Sequence, residues 1–265
     1  MKIRFCLLLG LVLLLGACSW VGSAARNSVE GVASHFGRER FTLVVSVPPN
    51  FGFTSKAQYA PKEGQNCEVY SPSLGGSVTR QQQKYDKFPA KSTEQTVSID
   101  IPLEYRIVGC SMELSRVNYE MNATYGSDTW DHDLAQAGGL SIPGPSSIKI
   151  SDNSVQRGLC TWLFQINTAK AKKGEIEKIL SCTAADAEWK IPEDRFKRRK
   201  PGTALARVEL GDKTILVTFR QSSEEEPSYQ AYWNRVPNGR NLAPAAGTQK
   251  EKSYVQLLQN LEPSK

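Results

Sequence analysis

Phe41-Thr42-Leu43-Val44-Val45-Ser46-Val47, closed by Pro48-Pro49, sets the structural tone of this chain. The stretch is dense in β-branched residues, which fit a pleated and half-buried surface, and the prolines stop it because neither can donate to a ladder. It reads as a strand. Working outward, the same signature recurs at Cys67 to Tyr70, at Gln95 to Ile101 and through Tyr105 to Tyr125. Pro61, Pro72, Gly75-Gly76 and Pro89 punctuate these segments at intervals suited to an antiparallel sheet. Later candidates are Ser147 to Ile150, Leu159 to Ile166, Ile176 to Cys182, Ala204 to Leu210 and Thr214 to Arg220. Gly211-Asp212 separates the last two, and such a two-residue link predicts a tight hairpin with Gly211 at positive φ.

Thr129 to Ser147 interrupts the pattern with Gly138-Gly139 and Pro143-Gly144-Pro145, so a long loop or subdomain boundary is expected there. Helical periodicity is confined to the end of the sequence, where Tyr254, Leu257, Leu258 and Leu261 predict a short amphipathic helix. The expected fold is mostly β, with antiparallel sandwich-like sheets. It forms either one sandwich with a long excursion or two small β subdomains, over residues 41–150 and 151–265.

The N-terminus carries a different message. Lys2 and Arg4 precede an apolar run from Phe5 to Leu15, which ends in Leu15-Gly16-Ala17-Cys18. A positive start, an apolar stretch and small residues before the cut make a signal segment, and the tetrapeptide resembles a bacterial lipobox. The resemblance implies a diacylglycerol on the Cys18 thiol, cleavage before Cys18 and acylation of the new amine with a fatty acid such as palmitate. Residues 1–17 would then be a signal peptide. An ordinary cut after Ala25, at Ser23-Ala24-Ala25, rests on fewer matching positions, and the run is shorter than the roughly 20 apolar residues of a membrane span. Several acyl chains hold a protein durably, since each buried methylene contributes about 0.8 kcal/mol. Ser19 stands where inner-membrane members of the class usually carry aspartate, so the outer membrane, at its periplasmic face, is the expected location. From Ser19 to about Arg40 small and polar residues predict a flexible tether, giving an anchored segment over 18–40.

Loss of the leader would leave 248 of the 265 residues and, by removing Lys2 and Arg4, lower the formal charge from +6 to +4. That mild excess, without a recognisable nucleic-acid motif, argues against nucleic acid as a partner. With Cys6 in the leader and Cys18 lipidated, Cys67, Cys110, Cys160 and Cys182 remain. An even number in an exported chain reads as disulfides. Of the three possible pairings, Cys67 with Cys110 and Cys160 with Cys182 is favoured, because each pair lies in neighbouring strand-like segments and closes the smaller loops. The spacing does not suit structural zinc, so neither a metal nor a cofactor is expected.

Catalytic patterns are lacking as well. Outside the leader only His35 and His132 occur, and Trp130-Asp131-His132-Asp133 reads as a solvated loop, because neighbouring strand residues point to opposite faces. There is no Gly-x-Ser-x-Gly elbow, phosphate-cradling glycine loop or His-Glu-x-x-His, and the chain is not expected to be an enzyme. Two charge runs stand out instead. Arg195-Phe196-Lys197-Arg198-Arg199-Lys200 holds five bases in six residues, and Glu224-Glu225-Glu226 is its acidic counterpart, followed by Tyr229, Tyr232 and Trp233. Solvated loops are the ordinary reading. The functional one is a docking surface, basic residues speeding encounter with an acidic partner or anionic lipid and aromatics concentrating interface energy. On it, Arg195, Lys197, Arg198, Arg199, Tyr229, Tyr232 and Trp233 are the candidate partner-binding residues.

Leu159-Cys160-Thr161-Trp162-Leu163-Phe164-Gln165, Lys178-Ile179-Leu180-Ser181-Cys182 and Lys200-Pro201-Gly202-Thr203-Ala204 resemble lipoproteins encoded beside lipase effectors of the type VI secretion system. The resemblance covers the lipobox and the segment from Cys160 to Trp233. It implies an immunity protein, held in the periplasm, that binds and blocks a phospholipase toxin delivered by sibling cells. The alternative is a structural or assembly lipoprotein supporting a secretion or surface machine of the envelope. An enzyme or a small-ligand carrier ranks behind both.

Overall fold

A computed structural model describes residues 34–107, 109–126, 132–143, 155–165 and 177–228. Cys18, the strand expected at Ser147 to Ile150 and the C-terminal helix fall outside these residues, as do Tyr229, Tyr232 and Trp233. The protein is mostly β. Among the described residues the helical elements are two three-residue 3-10 turns, Arg195–Lys197 and Arg207–Glu209. Among the described residues two compact units interleave along the sequence: one takes 34–39, Tyr59–Gln82 and Pro102–Leu114, the other Arg40–Gln58, Gln83–Ile101 and those described from Ser115 to Ser228. This is a different division from a cut at residue 150.

In the second unit the opening heptapeptide forms strand β2 (Arg40–Val47), strands being numbered in chain order. Its period-2 pattern sends Phe41, Leu43, Val45 and Val47 inward, all fully buried. On one side it pairs with β7 (Gln95–Pro102), whose Val97, Ile99 and Ile101 repeat the alternation. On the other it runs parallel to β14 (Thr214–Gln221), with Thr42 opposite Thr214 and Ser46 opposite Thr218. The sheet continues through β11 (Val155–Gln165) to β12 (Glu177–Ala184), while β15 (Glu226–Pro227) pairs with β11 off the main path. The pairing of β11 with β12 is antiparallel, as expected, whereas β2–β14, β11–β14 and β11–β15 are parallel.

A second set of strands faces this sheet. β9 (Cys110–Thr124) pairs antiparallel with β10 (His132–Ser141), which runs parallel to β13 (Gly202–Ala204). β3 (Phe51–Pro61) pairs with β9 and with β6 (Gln82–Phe88). Phe53 of β3 lies between Tyr119 of β9 and Phe219 of β14, with ring centroids 6.0 and 6.3 Å away. These rings form the middle of a sandwich-like core, and burying each contributes about 2 to 3 kcal/mol. Gly158 leaves room for it, since a Cβ there would meet the Phe219 ring at 2.5 Å.

Three sequence expectations fail for physical reasons. Thr129 to Ser147 is not a long loop where it is described, because β10 occupies His132–Ser141. Its two glycines mark close backbone approach rather than a break: a Cβ on Gly138 would fall 1.8 Å from the Pro201 carbonyl oxygen, and the ladder shifts register between Gln136 and Gly138. Ala204 to Leu210 is not the first arm of a hairpin. Beyond Ala204 the chain turns through the 3-10 turn at Arg207–Glu209, the positive φ of 57° belongs to Asp212 and not to Gly211, and β14 takes β2 and β11 as neighbours. Burying Ile215, Val217 and Phe219 in the parallel sheet outweighs a local turn signal. The tether, finally, does not extend to Arg40. β1 (His35–Phe36) pairs with β8 (Glu104–Ile107), and the Gly37 amide donates to the Glu104 carbonyl at 2.8 Å.

The first unit is thinner. Tyr105 to Tyr125 divides at Gly109, where φ of 74° turns β8 into β9 with Ile107 opposite Cys110. Phe36, Tyr59 and Tyr105 cluster with ring centroids 5.1 to 6.3 Å apart, and the Tyr59 hydroxyl donates to the Pro102 carbonyl at 2.9 Å. β4 (Glu68–Ser71) and β5 (Gly76–Thr79) make a two-stranded hairpin with no fully buried residue. Cys67, at its base, is bonded to Cys110 with Cα atoms 5.3 Å apart. In the second unit Cys160 and Cys182 face one another across β11 and β12 and form the other disulfide.

Candidate partner-binding surface

The basic run follows β12 and is tied down at both ends. Asp186 accepts the Lys190 amide at 2.8 Å and opens the loop, while the Ala184 amide donates to the Arg199 carbonyl at 2.7 Å and closes it. Between them Asp194 caps the 3-10 turn by accepting the Phe196 amide at 3.0 Å. Arg198 donates to the Pro192 carbonyl at 2.9 Å and Arg199 to the Phe196 carbonyl at 3.0 Å. Nearby, the Arg220 guanidinium stacks 4.0 Å from the Trp189 ring centroid.

The two charge runs, read from sequence as separate loops, meet in the fold. β15 brings Glu226 alongside β11, and its carboxylate accepts from Arg198 at 2.7 Å and Arg195 at 3.2 Å. Two of the candidate residues are therefore partly neutralised within the chain. Of the other described candidates, Lys197 and Arg199 are exposed, Lys197 in a loose 3.8 Å pair with Asp194, and Phe196 between them is 74% exposed. Arg195, Arg198, Arg199 and Lys200 border a cleft of about 240 Å³ floored by Thr161, Ser181 and Thr183.

The acidic run splits by function. Glu224 is exposed, whereas Glu225 turns inward and accepts from the Tyr125 hydroxyl at 2.6 Å and from Lys178. Lys178 is buried, with its ammonium 4.4 Å from the Tyr125 ring centroid and 5.7 Å from that of Phe164. Tyr125 in turn meets Trp162 edge-on at 5.4 Å. Burial, followed by its bond to the Glu225 carboxylate, holds the Tyr125 phenol above its ordinary pKa. Sequence reading overlooked this cluster, although a signal was available. In β12, Lys178 shares its face with Leu180 and Cys182, and a lysine in register with buried residues needs a partner.

Asp133 has a structural role. Its carboxylate accepts the Leu180 amide of β12 at 2.6 Å. Among the described residues no three histidine, cysteine or acidic side chains converge as a metal site. The chain matches no protein-family model, no curated protein and no solved structure.

Proposed function

We propose that this chain is a lipid-anchored protein of the bacterial envelope that acts by binding a protein partner rather than by catalysis. A phospholipase toxin of the type VI secretion system is the partner class that the sequence resemblance implies. The observation carrying the reading is the basic turn: a capped, hydrogen-bonded loop that presents Phe196 and Lys197 outward while Glu226 braces the arginines beside them. A preformed projection loses little conformational freedom on docking, and an exposed aromatic ringed by cations suits an interface centre with an acidic rim opposite. Two disulfides in a β scaffold fit an oxidising compartment. The lipobox-like Leu15-Gly16-Ala17-Cys18 supplies the anchor.

Expressing the effector encoded beside this chain in the periplasm, with and without the protein, tests the proposal. Protection is expected, together with a complex that Phe196→Ala and Lys197→Glu weaken. Equal killing in both cases, with no complex recovered, would reject it in favour of a structural role in the envelope. Replacement of Cys18 by serine is expected to abolish fatty-acid labelling.

A further inference from the structure

A second cleft shares no lining residue with the one beside the basic turn. Tyr125, Trp162, Gln221, Ser222, Ser223 and Glu225 line a cleft of about 530 Å³, within the range of small-molecule sites. We propose that it binds a neutral, hydroxyl-rich ligand, a short saccharide.

The charge balance in the cleft points to that class. Among the described residues that line it, Glu225 is the only charged one, and Lys178 pairs with it while the Tyr125 hydroxyl donates to its second oxygen. An anion would meet a carboxylate with no facing cation among the described lining residues. A cationic ligand would compete with Lys178, which already stands over the Tyr125 ring and on the same carboxylate. What remains is a neutral molecule with many hydroxyl groups. The polar lining matches one: Gln221 offers both a donor and an acceptor, and Ser223 a hydroxyl. The Ser222 oxygen accepts the Glu224 amide at 3.1 Å and keeps its own proton to donate. The half-exposed Tyr125 ring, set edge-on at 79° against the largely buried Trp162, gives the cleft an apolar corner for the C–H face of a sugar. The buried ion pair fixes that corner before any ligand arrives, so little ordering is left to offset binding.

Saturation-transfer NMR on the full chain tests this with four probes: chitotriose, maltotriose, choline and glucose 6-phosphate. At least one neutral trisaccharide is expected to bind. Gln221→Ala and Ser223→Ala, at exposed positions that carry no core packing, should each weaken it by about five- to tenfold, the worth of one hydrogen bond. Phe196→Ala should leave it unchanged, which separates this site from the protein-binding reading. The proposal is overturned if neither trisaccharide binds at concentrations up to about 10 mM, if choline or glucose 6-phosphate binds in their place, or if both alanine variants retain full affinity.

Discussion

The two disulfides invite comparison, because the same bond is set in unlike surroundings. Cys160–Cys182 lies inside a sheet where β11 and β12 are already matched over eight residue pairs and Trp162, Leu180 and Phe219 are buried. Cys67–Cys110 ties down a two-stranded hairpin with no fully buried residue, with Tyr70 and Leu74 exposed. A lone two-stranded hairpin is marginal in water. A bridge within a packed sheet therefore adds to stability already present, whereas one beneath a thin hairpin supplies most of the order the hairpin has.

The largest expected effect tests the packed side of this contrast. Phe53→Ala should cost about 4 kcal/mol, because it removes a ring caught between Tyr119 and Phe219. Leu74→Ala should stay within about 0.5 kcal/mol. Urea unfolding of both variants measures the gap, and equal costs would erase the distinction between thick and thin regions. Next come the bridges themselves. Removing both members of Cys160–Cys182 should lower stability by about 3 kcal/mol with amide protection along β11 and β12 retained. Removing Cys67 and Cys110 should instead strip protection from β4 and β5 in hydrogen exchange and leave β11 protected. Protection surviving in the hairpin would show that the bridge is not what orders it.

The smallest effect concerns Tyr119. Its hydroxyl is fully buried near the Gln156 amide without a well-formed hydrogen bond, and burial raises its pKa well above the ordinary 10. A raised value in the folded state means that stability is complete below about pH 10, the unfolded value, and falls above it, because only the unfolded chain then sheds the proton freely. Tyr119→Phe should be nearly neutral at pH 7, and wild type should become progressively less stable than the variant as pH rises past 10. A flat difference would mean that the phenol titrates normally.

Much of this architecture was legible in the residues. Phe41–Val47 is dense in β-branched residues and ends in two prolines, and Val97, Ile99 and Ile101 alternate with polar residues, patterns that suit strands, and the favoured cysteine pairing followed from strand adjacency. What failed shares one cause. Gly138-Gly139 and Gly211-Asp212 are local turn signals, but their conformations are set by distant backbone, the Pro201 carbonyl in one case and β2 in the other. The candidate surface was half visible. The basic run is obvious as composition, while its pairing with Glu226 depends on β15 lying beside β11, which no local pattern encodes. Lys178 was readable only after β12 had been placed in register.

The parallel ladder between β2 and β14 also sets a timetable. Residues 42 and 214 are neighbours in the sheet, so a chain made from its N-terminus produces one of its most water-averse strands first and that strand's partner near the end. Until then Phe41, Leu43, Val45 and Val47 have only β7 beside them, and the vacant edge can recruit any passing strand. Contacts so far apart in sequence form slowly and leave nascent chains open to aggregation. Wherever folding takes place, the second edge of the opening strand stays open until residues 214–218 reach it.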